Sequence, residues 1–477
     1  MIGQKIKQVF PDIAVQKNTD NYSVFIGRNL PSFVKDFIIR KNLNDNNGKL
    51  NNQQIKEYLN KFFPDKKKPV KNRVMSGETV ELITRFTIST DIKSGKTCFA
   101  ISDAEVKASD AIIPKHLLTK YSKYLVDGEQ WGKIKLVYNH PQDRKKDGHI
   151  EMIDYRPFKP YSSVDLNYYI ECRKQFTTEE WIDVLISAME YSPDGFTGTA
   201  QKLEFLTRLL PFVEPRLNMI ELAPKGTGKS YIFTNLSKFG WLVSGGSVSR
   251  AKLFYNKSTQ KPGIMNYYDV LTCDEIKTIV FPDETEMQAI LKAYLESGKA
   301  TVDNYEFRSE CSMMLMGNID LTSQNLPKHD RYFQHLPKSF RESALLDRFH
   351  GFIEGWRLPR IDTSMILKDW TLDVEYFSEI LHLLRTAPEY SALVNNVLSW
   401  EEKADVRDLN AVKRITTAYA KLLFPHITQA EELDKEEFRQ LCLEPAIRRR
   451  GIIREQVHKI DEEYKIEMPE IGIKENI

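Results

Sequence analysis

Apolar positions along this chain change their period several times, and each change marks a different kind of element. Helix-compatible spacing runs over residues 30–39 and 52–63, with the polar tract 42–52 between them as a loop. From residue 79 the pattern turns to β formers. Strands are predicted over 79–88, 98–102, 131–138, 149–155 and 164–172, punctuated by Gly, Asp and Asn, and together they suggest a small barrel. Thr177 with Glu180 three residues on forms a capping box, and Trp181, Val184, Leu185, Ala188 and Met189 give the helix behind it an apolar side. A second helix, 199–210, ends at Pro211.

Strand and helix then alternate. Short apolar strands are predicted over 219–222, 238–243, 269–273 and 311–316, with a glycine-serine turn at 244–247 and helices over 231–239 and 284–296. Residues 299–302 and 305–308 frame Asp303-Asn304 as a β-hairpin. Residues 370–429 are strongly helical, best over 376–384 and 409–423. The expected organisation is a helical region (1–70), a β-rich domain expected to bind DNA (71–175), an α/β core (176–365), a helical lid (366–430) and a basic C-terminal tail (431–477).

Composition narrows the class. A chain of 477 residues is too long for one ordinary core, and 41% hydrophobic with 28% charged residues is a globular balance. No run of 18 apolar residues occurs, so no membrane helix is expected, and the N-terminus lacks a secretory apolar region. Net charge is only +2, so any nucleic-acid surface must be a local patch. The five cysteines have no CxxC spacing, which argues against a disulfide framework or a cysteine zinc site and fits a reducing, cytoplasmic setting. The nine histidines form no HExxH pair, so a zinc hydrolase has no support.

The candidate chemistry centres on LNMIELAPKGTGKS, residues 217–230. An apolar strand, a glycine-rich loop and a helix are the context of a phosphate-binding loop. Ala223, Pro224, Lys225, Gly226, Thr227 and Gly228 would cradle phosphate through backbone N–H groups. Lys229 would reach the β/γ-phosphates of ATP, and Ser230 would hold Mg²⁺. Ala223 replaces the first glycine of the GxxxxGK(S/T) pattern, which requires a negative φ there. The strand 269–273 runs into Asp274-Glu275, at a spacing that suits Asp274 for Mg²⁺ and Glu275 for polarising the attacking water. Asn318, at the end of the next apolar strand, would hold that water.

Arginines complete the set. Arg348, after a short apolar helix, would reach a neighbouring subunit's γ-phosphate as an arginine finger, with Arg357 and Arg360 as alternatives. Arg407 would turn back onto the phosphates or pair with Asp405 or Asp408, and Arg414 is a second candidate. Basic patches occur at Lys66, Lys67, Lys68, Lys71 and Arg73, at Arg144–Lys146, at Lys299 and Arg308 on the hairpin, and at Arg448, Arg449, Arg450 and Arg454. Each reads either as solvated surface or as a contact with a nucleic-acid backbone.

The loop, Asp274-Glu275, Asn318, Arg348 and Arg407 in this order resemble an AAA+ ATPase. The chain is more closely similar to the Lon-related family of the BREX phage-defence system. The similarity is densest over ELAPKGTGKSY, DEI, MLMGNIDL and ALLDRFHGFIEGW. It implies a homohexameric ring or double hexamer on double-stranded DNA, ATP hydrolysis with ATP and Mg²⁺, and defence alongside partner proteins that methylate host DNA. It also implies that the hairpin after Gly298 resembles the pore hairpin of MCM-type helicases. Longer relatives carry a Lon-like C-terminal domain. Residues 431–477 hold no Ser-Lys dyad context, so a short form without proteolysis is expected. Two other functions fit the residues. One is a protein-remodelling ATPase gripping polypeptide through Tyr305 or Phe307. The other is an ATP-gated platform without motor activity.

Overall fold

A computed structural model describes the chain except residues 1, 18–22, 26–29, 46–50, 64–68, 92–94, 123–124, 126–127, 141–147, 158–163, 259 and 476–477. The chain divides into two compact units, Asp20–Arg28 with Phe37–Ser163, and Met1–Thr19 with Asn29–Asp36 and Val164–Ile477. This division places residues 1–19, 29–36 and 164–175 with the second unit, unlike the expected sequence boundaries. Among the described residues no helix is long and apolar enough to cross a membrane.

The first unit is built on a closed barrel of β1 (Val80–Asp91), β2 (Lys96–Ala100), β3 (Ala111–Ile113), β4 (Gly128–Asn139) and β5 (His149–Pro157). The order around it is β1-β2-β3-β5-β4. Only the β3·β5 pair is parallel, and the helix Lys115–Lys120 fills the connection from β3 to β4. This is the topology of the oligonucleotide/oligosaccharide-binding barrel. Alternation along the strands sends Leu82, Phe86, Phe99, Ile134, Met152 and Tyr155 into its interior. The Phe86 and Tyr155 rings meet edge to face at 5.9 Å. The segment expected as a strand over 164–172 is instead the helix Leu166–Arg173, capped by Asp165 and belonging to the second unit. The polar tract expected as a loop begins inside the helix Ser32–Asp45.

The second unit is organised by five parallel strands, β6 (Met219–Ala223), β7 (Gly240–Ser247), β8 (Val270–Val280), β9 (Ser312–Asn318) and β10 (Gly351–Glu354), in the order β10-β6-β9-β8-β7. Every residue of β6 is buried, so its near-continuous apolar run reflects cover on both faces. The insertion of β9 between β6 and β8 matters for chemistry, because it puts the carboxyl ends of three strands side by side. The expected capping box is present, with the Thr177 hydroxyl accepting from Glu180 N–H and the Glu180 carboxylate accepting from Thr177 N–H. The hairpin is also present, pairing Lys299–Val302 with Tyr305–Arg308.

Residues 431–477 are not a basic tail. The helix Glu444–His458 packs Ile453 and Val457 into the core beside β10, and Ile471–Ile473 pairs with Leu398–Trp400. The residues expected as a turn at 244–247 are the last residues of β7.

The fold keeps two histidines of this unit neutral. Burial, with Arg173 and Lys174 nearby, pushes the His426 pKa down to about 4. Burial, with Arg414 and Arg450, pushes His350 well below its ordinary value, and its Nδ1 accepts the Asn218 N–H at 3.0 Å. In the unfolded chain both imidazoles titrate near ~6.5. Below that pH the unfolded state binds protons that the folded state refuses, so stability is complete above it and falls on acidification. The melting temperature is therefore expected to drop between about pH 7.5 and about pH 5, and His426→Asn should shrink that drop in scanning calorimetry.

Candidate active site

The chain leaves β6 at Ala223, turns through residues 223–228 and enters the helix Lys229–Asn235. Gly226 and Gly228 sit at φ +87° and +74°, a region open to glycine and costly for other residues. Ala223 is not among the residues with positive φ, so alanine meets no backbone penalty there. Room for its methyl comes from the facing segment, since a Cβ on Gly355 would lie 2.2 Å from the Ala223 Cβ.

The neighbouring strand ends converge on this loop. Asn318 is in register with Ala223, and its Oδ1 accepts from Lys229 Nζ at 2.8 Å. The Ser230 hydroxyl donates to Asp274 Oδ2 at 2.5 Å. Ser230 and Asp274 thus form a pair of hard oxygen donors, the kind that binds Mg²⁺ while phosphate and water complete its shell. Burial pushes the Lys229 ammonium below its ordinary pKa, while Glu221, Asp274 and Glu275 act in the opposite direction.

Glu275 occupies an unusual backbone position. The β7·β8 register breaks between Asp274↔Ser244 and Ile279↔Gly246. Glu275 lies on that bulge at φ +49°, exposed, next to the buried Asp274. A left-handed glutamate is strained, and a bulge re-aims its side chain away from the strand's alternation. The bulge requires Gly245, where a Cβ would lie 2.4 Å from Thr278 Oγ1.

Arg348 and Arg407 form a second cluster. Arg348 Nε lies 2.8 Å from Glu296 Oε2, and Arg407 Nη2 lies 3.1 Å from the same oxygen. Arg407 Nη1 also donates to Asp347 Oδ2 at 3.0 Å. Both arginines line a cavity of about 330 Å³ with Arg414 and Arg450. Gly351 is in register with Met219, at the start of β6, so Arg348 lies before the amino ends of these strands. The loop lies beyond their carboxyl ends, roughly 13 Å of strand rise away from Met219 alone. Arg407 shares Glu296 with Arg348, which corrects the expectation that it folds back onto its own loop. Arg357 is exposed and pairs with Glu354 at 3.5 Å, and Arg360 is exposed.

Several expected nucleic-acid contacts are corrected. Arg449 and Arg450 are 3% and 1% exposed and cannot meet a polymer backbone. Arg449 pairs with Glu204 at 3.2 Å. Arg450 pairs with Asp347 and Asp408 at 2.6 Å each and donates to the carbonyls of Asp347 and Phe349, which flank Arg348. These contacts hold the segment on both sides of Arg348. Arg448 is partly exposed and pairs with Glu354. In the first unit, Arg73 pairs with Glu78 at 2.8 Å and Lys71 with Asp110 at 2.8 Å, while Lys66, Lys67, Lys68 and Arg144–Lys146 lie outside the described residues. Lys299 is exposed, and Arg308 pairs with Glu306 on its own strand at 2.7 Å.

Phe307 is fully buried against Phe254 and Tyr294, and Tyr305 stacks on Tyr255 with ring centroids 4.0 Å apart. Neither ring is poised to grip a polypeptide, contrary to that expectation.

Sequence reasoning missed Arg208, Glu221, Glu296 and the burial of Arg450. One signal was present: Glu221 interrupts an apolar strand, and a buried carboxylate needs a cationic partner. Arg208 is that partner.

Comparison with known proteins gives the family. Residues 150–470 match the family model "Lon-like protease BrxL-like, ATPase domain", and residues 8–138 match "BREX system Lon protease-like protein BrxL N-terminal". The chain is 29% identical over 445 residues to a Lon-like protease BrxL of Bacillus cereus (strain H3081.97), covering 91% of this chain and 63% of that protein. It is 27% identical over 439 residues to a Lon-like protease BrxL of Escherichia coli O9:H4 (strain HS), covering 91% and 61%. The chain thus spans less than two thirds of the length of these curated relatives.

Proposed function

The chain belongs to the BrxL-like ATPase family, and on that premise we propose that it is an AAA+ P-loop ATPase of phage defence. In this reading a ring of copies, a hexamer or double hexamer, binds double-stranded DNA and couples ATP hydrolysis to its remodelling or translocation. The observation that carries the reading is the convergence of Lys229 with Asn318, and of Ser230 with Asp274, at the ends of adjacent parallel strands. Mg²⁺, held by Ser230 and Asp274, would neutralise phosphate charge. Lys229 binds the β/γ-phosphates, Asn318 orients water, and Glu275 accepts its proton. Arg348 and Arg407, at the opposite ends of the strands, serve the nucleotide of an adjacent copy, which is why a ring is needed.

Two features favour DNA over polypeptide. The hairpin exposes Lys299 and buries Phe307, while its Arg308 is paired with Glu306. The barrel has a topology widely used for nucleic acids, an argument by fold alone. Glu275 on a strained bulge favours hydrolysis over a passive platform. The test is ATP turnover with and without long duplex DNA at low and high salt. DNA is expected to stimulate turnover, and the stimulation should fall about tenfold or more between roughly 50 and 200 mM salt. Turnover indifferent to DNA would transfer the proposal to a protein substrate.

A further inference from the structure

Arg208 and Glu221 form a fully buried ion pair directly beneath the glycine-rich loop. Glu221 lies on β6, two residues before Ala223. Arg208 Nε donates to Glu221 Oε2 at 3.0 Å and Nη2 donates to Oε1 at 2.5 Å. That bidentate pair fixes the guanidinium plane. The remaining nitrogen, Nη1, donates to the Thr227 carbonyl at 2.8 Å. One side chain therefore links the strand before the loop to the loop's last turn.

The consequence follows from peptide planarity. In a trans peptide the carbonyl of one residue and the N–H of the next point in opposite directions. With the Thr227 carbonyl tied down to Arg208, the Gly228 N–H points the other way. The preceding peptide is held likewise, because Ile361 N–H donates to the Gly226 carbonyl at 2.8 Å and so turns the Thr227 N–H. Two successive N–H groups are thereby set before any ligand arrives, and successive inward N–H groups make an anion cradle.

We propose that Arg208 is a positioning residue for nucleotide binding, holding the Thr227–Gly228 peptide so that its N–H meets the β-phosphate of ADP or ATP. This rests on the nucleotide-binding reading of the loop. Glu221 serves by neutralising and orienting Arg208. Neither residue touches the nucleotide.

Removing Arg208 alone would leave Glu221 buried and unpaired, so the informative variant replaces both. The Arg208→Met/Glu221→Met chain is expected to unfold cooperatively near the wild-type temperature. Its Kd for ADP, measured by titration calorimetry, should rise about tenfold or more. At saturating ATP its kcat should stay within a few-fold of wild type, because the strap sets ground-state phosphate binding. Adenosine competition should be unchanged. Arg208→Lys gives a second measurement should the double variant fail to fold. A single ammonium keeps Glu221 paired but lacks the fork that also reaches Thr227, so ADP affinity should fall with the fold intact. Wild-type ADP affinity in either folded variant overturns the proposal. A wild-type chain that binds no ADP overturns the reading of the loop itself, and is a different result.

Discussion

Glu275→Gln is expected to leave ATP bound and to lower turnover by about 10²–10⁴-fold, the range for loss of a general base. The substitution keeps shape and removes charge and basicity. Lys229, Ser230, Asp274 and Asn318 are untouched, and their mutual contacts do not involve the Glu275 side chain. Binding should therefore survive. Glutamine meets the same left-handed backbone at φ +49° that glutamate already occupies, so the fold carries no new strain. Filter retention of labelled ATP beside steady-state phosphate release separates the two effects. Unchanged turnover would place the base elsewhere, and defence that survives the loss of turnover would leave the chain an ATP-gated platform.

Arg348→Ala is expected to lower turnover about 10³-fold or more, as for loss of an arginine finger. The particular claim is that the arginine acts on another copy's nucleotide. Mixing tests it. Arg348→Ala chains keep an intact loop, and Lys229→Ala chains keep an intact Arg348. Each alone should be nearly inactive. Mixed rings should contain some interfaces with both parts intact, and part of the turnover should return. An arginine acting on its own loop would give no recovery. Arg407→Ala should complement Lys229→Ala in the same way, because Glu296 holds Arg407 beside Arg348.

The expected elements that survived were those set by local rules. The Thr177 capping box needs only two side chains one turn apart. The loop glycines and the Lys299–Arg308 hairpin are likewise short-range patterns, and the helix expected over 231–239 is present but shifted, as Lys229–Asn235. The errors arose where capping and packing overrode residue type. Residues 164–172 contain Tyr168, Tyr169 and Ile170, which suit a strand by type, but Asp165 caps a helix and burial selects Tyr169, Cys172 and Arg173. Ser244–Ser247 contains two glycines at positive φ and so reads as a turn, yet pairing with the bulged β8 makes it strand.

The run Arg448-Arg449-Arg450 is the clearest case where type misled. Three cations in sequence suggest a polymer contact. On a helix, successive residues point about 100° apart. One of these arginines reaches the surface and two turn inward, where Glu204, Asp347 and Asp408 receive them.

By itself the sequence determined which residues the proposed chemistry can draw on: a glycine-rich loop, a hydroxyl and a carboxylate, a glutamate beside them, and arginines in a fixed order. Those depend on residue type and short spacing, which a single strand-loop-helix segment already constrains. Only the tertiary structure decided which charges face the ligand and which hold the scaffold. Arg208 reaches Glu221 thirteen residues on, and Arg450 reaches Asp347 across 103 residues. Leaving either member of such a buried ion pair without its partner is costly, and the pairing is set by how the chain packs, which neither residue's sequence neighbours reveal.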